Sequence, residues 1–244
     1  TVDYPDCFLA GDKVLIMQMQ GAVIADSNNS NYGTVIQKNN AGNYEFARIA
    51  RIDGNVLFLQ SALLQPYSIE GIVQIVKVPE YQSKRLGYTT GKPWDGATGG
   101  IVAISVADTL YLNGDISVSY KGFRGGIATD ANSVPNFQVP DYRAEFRPSH
   151  YGQKGEGIAA FGVAPYTSGR GAPANGGGGG NNHNAGGGGG ANAGCGGLGG
   201  WAYNGNGAYS GNRQDAQGIG GHSLTATTGI AFMGGGGGSG HGNN

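Results

Sequence analysis

Through the first eighty residues the apolar positions fall in short blocks separated by Gly, Asp, Asn and Pro. Residues 13–20 (KVLIMQMQ) are a compact apolar run with Gly11-Asp12 before it and Gly21 after it, the length and bounding of a buried strand. Further blocks at 34–37, 44–52, 56–59 and 72–78 read as strands. Asp53-Gly54 separates two of them as a hairpin turn, with Gly supplying the positive φ. Pro79 closes the block at 72–78, because proline cannot donate to a ladder. No window keeps a 3.6-residue apolar period with caps, so the pattern predicts little helix. Residues 1–85 are expected to form a small antiparallel barrel or sandwich.

After a turn-rich stretch holding Trp94, Asp95 and Gly99-Gly100, three more strand candidates follow at 101–106, 109–112 and 115–120. Asn113-Gly114 is a second turn signal, and the spacing fits either a hairpin or successive rungs of a β-solenoid. Residues 86–127 are therefore read as a β-strand or solenoid transition. Residues 128–153 are read as a long polar loop with Pro135, Pro140 and Pro148.

Composition then changes the picture. Of the 50 glycines, 15 lie in residues 1–150 and 35 in the remaining 94. Three five-residue runs stand out, Gly176 to Gly180, Gly186 to Gly190 and Gly234 to Gly238. The first and third open one phrase, GGGGGNNHN and GGGGGSGHGN, which places His183 and His241 equivalently. Such runs normally mark flexible linkers. Here they are interrupted by buried-type residues such as Leu198, Trp201, Ile219, Leu224 and Met233. That composition favours an ordered alternative. In a threefold extended helix of about 3.1 Å rise per residue each run spans roughly 15 Å, with every N–H and C=O directed sideways to a neighbour. Residues 128–244 are expected to be a polyglycine-helix bundle with loops at 128–153 and 203–217. The whole chain is thus read as mainly β with a glycine-helix second half.

Charge excludes several functions. Fifteen Lys and Arg stand against 16 Asp and Glu, and 13% of residues are charged, so nothing favours nucleic acid or an anionic membrane. No apolar run is long enough for a membrane helix. His183, His241, His222 and Cys195 match no zinc spacing, and the simpler reading has His and neighbouring Asn side chains fastening the ends of the glycine helices. Neither a metal nor another cofactor is expected. Cys7 and Cys195 form a candidate disulfide pair or two free thiols, and spacing does not decide between them.

Residues 87–92 (GYTTGK) are a residue short for a phosphate loop, and Pro93 stands where Ser or Thr belongs. Asp141 with Glu145, and Lys154 with Glu156, read as solvated loop charges rather than an acid–base pair. No catalytic residue emerges. Trp94, Trp201 and the 13 tyrosines offer a minority reading as a sugar-stacking face.

The phrases GDKVLIMQMQGA (11–22), AGNYEFARIARIDGN (41–55), VQIVKVPEY (73–81), WDGATGGIVAISV (94–106), GFRGG (122–126), KGEGIA (154–159) and NGGGGGNNHNAGGGGG (175–190) together resemble a region of very large secreted surface proteins of gliding and related bacteria, chiefly Bacteroidetes. The resemblance implies an adhesin-like protein exported by type IX secretion, displayed outside the cell, and continuing past residue 244. It implies as partners the other domains of that protein and the secretion machinery, with glycans or abiotic surfaces as targets. The glycine-rich half is more loosely similar to polyglycine-helix domains of phage tail-tip adhesins, of the anaplastic lymphoma kinase ectodomain and of springtail antifreeze proteins. Neither resemblance supplies catalytic residues. The functional expectation is a non-enzymatic structural or adhesive module, with a carbohydrate-binding module and a β-helical polysaccharide-cleaving enzyme as alternatives.

Overall fold

The computed structural model describes residues 1–130, 141–145, 147, 151–159, 166–181, 184–202 and 216–242. The chain is mainly β, with two single 3-10 turns at Pro5–Cys7 and Ile69–Gly71 as its helical content among the described residues. In order the strands are β1 (Lys13–Gln18), β2 (Val23–Ile24), β3 (Val35–Gln37), β4 (Tyr44–Asp53), β5 (Val56–Leu59), β6 (Val73–Lys77), β7 (Glu80–Tyr81), β8 (Lys84–Leu86), β9 (Ser105–Val106), β10 (Leu110–Leu112), β11 (Thr129–Asp130) and β12 (His241–Gly242).

The largest sheet has the order β5-β4-β1-β6 and is antiparallel throughout. Its centre is the apolar run predicted as a buried strand. Alternation of side chains sends Val14 and Ile16 to one face, against Ile49, and Met17 and Met19 to the other. Burial on both faces is why β1 reads as a continuous apolar block. The hairpin joining β4 to β5 turns at Gly54, whose φ of 53° lies in the region glycine enters without a Cβ clash.

Residues 101–120 depart from the hairpin reading and hold less strand than expected. The block at 101–106 is a strand only at Ser105–Val106, and 115–120 forms no strand. No hairpin turns at Asn113-Gly114. Instead β7 pairs with β9 and β8 with β10, both in parallel, and an isolated parallel bridge joins Thr89 to Ile116. The segment finds its hydrogen-bond partners in residues 80–89 before it, so the turn signal at 113–114 serves a change of direction and not a hairpin.

The three segments distinguished by composition share one core. Met17, Met19, Ala22 and Ala41 pack with Trp94 and Phe123, and these with Ile158, Ala174, Leu224 and Met233. Backbone bonds cross the same boundary: Gly21 N and Ala22 N both donate to Ile158 O, and Ala174 N donates to Gly33 O. At that last contact the chains touch so closely that a Cβ on Gly33, which has φ +85°, would stand 1.7 Å from Ala172 O.

Candidate functional site

The glycine-rich half is held by backbone hydrogen bonds that belong to neither helix nor sheet, and they recur every third residue. Along 175–181, Gly177 N and Gly180 N donate to Gly236 O and Ser239 O, while Gly178 N and Asn181 N donate to Ile219 O and Ala216 O. Gly179 N takes a third direction, to Gly169 O. In return Gly155 N and Gly152 N donate to Gly177 O and Gly180 O, and Gly188 N to Gly178 O. The same step of three joins 186 and 189 to 200 and 197, 196 and 199 to 221 and 218, and 235, 238 and 241 to 191, 188 and 185. Each of these stretches thus meets a given neighbour at every third residue, and its bonds run to other stretches of chain.

Glycine is required by the closeness of these contacts. All five residues of the run 176–180 are buried. A Cβ at Gly177, Gly179, Gly188 or Gly190 would lie 1.9–2.1 Å from a carbonyl oxygen of Gly188, Gly152, Ile219 or Gly235 respectively. Carbonyl oxygens occupy the space a side chain would need, so these residues form the interior of the half by having none.

Polar side chains clasp the lattice. Asn175, fully buried at the head of the first run, accepts from Ile158 N at 2.8 Å and donates to Met233 O at 3.1 Å and Ala191 O at 3.3 Å. Asn181 closes the same segment by donating to Asp141 O at 2.6 Å. Ser239 Oγ accepts from Gln153 N at 2.7 Å. His241 is buried and its backbone N–H donates to Ala185 O, while His222 is exposed. Asn175 and Asn181 thus bond across the two ends of the first run, while His183, expected with its neighbouring Asn to fasten that run, lies outside the described residues. So do most of the loops expected at 128–153 and 203–217. Cys7 and Cys195 are both free and exposed, so the candidate disulfide is not formed; Cys7 sits on the 3-10 turn ahead of β1, and Cys195 precedes Gly196, whose N–H donates to Gly221 O.

The charges at 154 and 156 are not solvated, contrary to the sequence reading. Two residues apart with Gly155 between them, they are buried in separate settings. Glu156 accepts from Trp94 Nε1 at 3.1 Å, from Arg124 N and Arg124 Nε at 2.9 Å each, and from Arg124 Nη2. Trp94 in turn meets Phe123 edge to face, ring centroids 5.7 Å apart. Lys154 Nζ donates to the carbonyls of Tyr142 at 2.6 Å, Gly169 at 2.9 Å and Gly171, and lies 4.3 Å from the centre of the Tyr32 ring. Burial pushes this lysine well below its ordinary range. The low charge and high glycine content of the region gave no sign that its two nearest charges would face inward. The one available signal was the KGEGIA phrase itself, where Gly155 follows Lys154 and Gly155 and Gly157 flank Glu156, letting backbone close around them.

Burial also pushes the Tyr32 hydroxyl up to about 12, with nearby Asp26 adding to the rise and Arg143 opposing it. A folded state that keeps its proton after the unfolded chain has lost it, near 10, is stabilised below that pH and loses this contribution as pH climbs from 10 to 12. Ultraviolet titration of phenolate is expected to show Tyr32 ionising only alongside alkaline unfolding, and Tyr32→Phe should remove that step. A Tyr32 that titrates freely near 10 in the native protein would contradict the buried placement.

Among the described residues no group of three His, Cys, Asp or Glu side chains is placed to hold a metal ion, and no helix is long and apolar enough to cross a membrane. The molecular surface instead carries large apolar groups, with Tyr88, Tyr111, Tyr120 and Trp201 exposed. In class, the chain is a β-rich protein built on a close-packed glycine lattice. Comparison with protein families, curated proteins and solved structures finds no match.

Proposed function

We propose that this chain is a non-enzymatic structural and adhesive module of a large secreted bacterial surface protein. In this reading residues 128–244 are a bundle of threefold polyglycine helices with loops, residues 86–127 a β-strand or solenoid transition, and residues 1–85 a small barrel or sandwich. The observation that carries it is the three-residue recurrence of backbone hydrogen bonds through the glycine runs. A half of the chain with few side chains and few charges is suited to rigidity and to holding loops outward, and poorly suited to the clustered acids that polysaccharide cleavage needs. Type IX export, display at the cell surface and a role in adhesion or gliding rest on the resemblance of the quoted phrases to gliding-bacterial surface proteins. The partners on this reading are the other domains of that protein and the secretion machinery, with glycans or abiotic surfaces as targets.

The test joins two measurements. Amide exchange is expected to be slow at Gly177, Gly178, Gly179, Gly180 and Gly188, and fast exchange throughout 176–190 would return these runs to the linker class. Beads coated with the purified chain are expected to adhere to glass or to a glycan array. Turnover of any polysaccharide would overturn the non-enzymatic reading, while binding to a single glycan class would favour a carbohydrate-binding module, for which the exposed Tyr88, Tyr111 and Tyr120 are the stacking candidates.

A further inference from the structure

The Lys154 side chain leaves the glycine lattice and ends at the seam with the first half of the molecule. It is 1% exposed. Its three bonds go to carbonyl oxygens on two separate stretches of chain, Tyr142 on one and Gly169 and Gly171 on the other. The aromatic face over it, Tyr32, comes from the loop between β2 and β3. Among the described residues no carboxylate lies within ion-pairing distance of it. The seam is tight around this point: Tyr32 is itself buried, and a Cβ at Gly171 would stand 2.4 Å from its ring. Asp26 and Arg143, paired at 3.0 Å, and Asn28, bonded to Asp141, Tyr142 and Arg143, tie the same β2–β3 loop to 141–143 from outside.

Three carbonyls and an aromatic face are a cage for an ammonium ion. An ammonium has three N–H donors, one for each carbonyl, and its charge is held over the ring; a neutral amine has two and would leave one buried carbonyl without a donor. Desolvation works against the charge, and the cage works for it.

We infer that Lys154 is an internal cation that ties 141–143 to 169–171 and seats both against Tyr32 of the first half, occupying a built cage whose ligand class is a primary ammonium. The latch decides whether 141–143 and 169–171 stay closed over Tyr32. It stands whether or not the chain is an adhesin.

In the wild-type protein, nitrogen-15 NMR of the lysine side chains at pH 7 is expected to show one Nζ with an ammonium shift and protons in slow exchange with water, absent in Lys154→Arg. An amine shift, or three protons exchanging as fast as in exposed lysines, overturns the cage. Lys154→Ala is expected to lower the thermal midpoint by roughly 10 °C. Propylammonium matches the atoms removed and should recover part of that loss. Tetramethylammonium, which has a charge and no N–H, should not. Equal recovery by both, or by neither, refutes a hydrogen-bonding cage. If Lys154→Ala does not fold, the NMR experiment decides alone.

Discussion

Replacing Gly178 by alanine is expected to cost about 3 kcal/mol of unfolding free energy, the upper end for overpacking a closed interior. The added Cβ would stand 1.8 Å from Arg170 O and 2.5 Å from the carbonyl carbon behind it. Neither side can retreat alone. Arg170 O accepts from Ile219 N, Gly178 N donates to Ile219 O, and Gly178 O accepts from Gly188 N, so a shift at one backbone breaks bonds at two others. Gly197→Ala is the matched control. It lies in the same lattice with nothing within 4 Å of its Cβ position, and its φ is not positive. That substitution should change stability by no more than about 0.5 kcal/mol and is free to raise it, because alanine restricts the unfolded chain more than glycine does. Urea unfolding of the two variants side by side provides the measurement. Equal losses would mean that the glycines are chosen for flexibility and not for contact distance.

Glu156→Ala is expected to cost roughly 3 kcal/mol or more, since it orphans buried donors instead of removing a surface ion pair. Trp94 Nε1 and the Arg124 backbone N–H both end on the Glu156 carboxylate, and among the described residues neither has another acceptor in place. The Arg124 guanidinium matters less, because its side chain is 55% exposed and water takes up its charge. Glu156→Gln keeps an acceptor and the volume, and should retain more than half of the lost stability. Trp94 fluorescence reports the site directly: a red shift in Glu156→Ala at low denaturant, absent in Glu156→Gln, is the expected result. If the two variants behave alike, charge rather than hydrogen-bond satisfaction holds the site. Phe123, edge-on to Trp94, and the backbone bond from Gly236 N to Glu156 O then carry the loss into the third glycine run.

These two residues show how far the sequence could be read. Gly178 is legible as part of a run, and the run is legible as close-packed because apolar residues interrupt it. Glu156 is not. A charged residue in a glycine-rich stretch reads as solvated until the partners are known, and they are Trp94 and Arg124, 62 and 32 residues away. The strands of the first eighty residues, the two-residue β2 apart, were legible for a local reason: apolar blocks, bounding glycines and the Gly54 turn all act within a few residues. Those at 101–120 were less legible, because their partners lie in β7 and β8 and parallel pairing leaves no turn signature between them.

By itself the sequence determined that the chain is mainly β, where its antiparallel sheet begins and turns, and that its glycine runs need neighbours for their backbone groups. Tertiary structure alone decided which run meets which, that Lys154 and Glu156 face inward, and that the two cysteines stay apart. The reason is physical. Glycines are identical to one another, so nothing in a run of five encodes its partner; the choice is made by the side chains at its ends, Asn175 and Asn181 foremost, and by the carbonyls they reach across the fold.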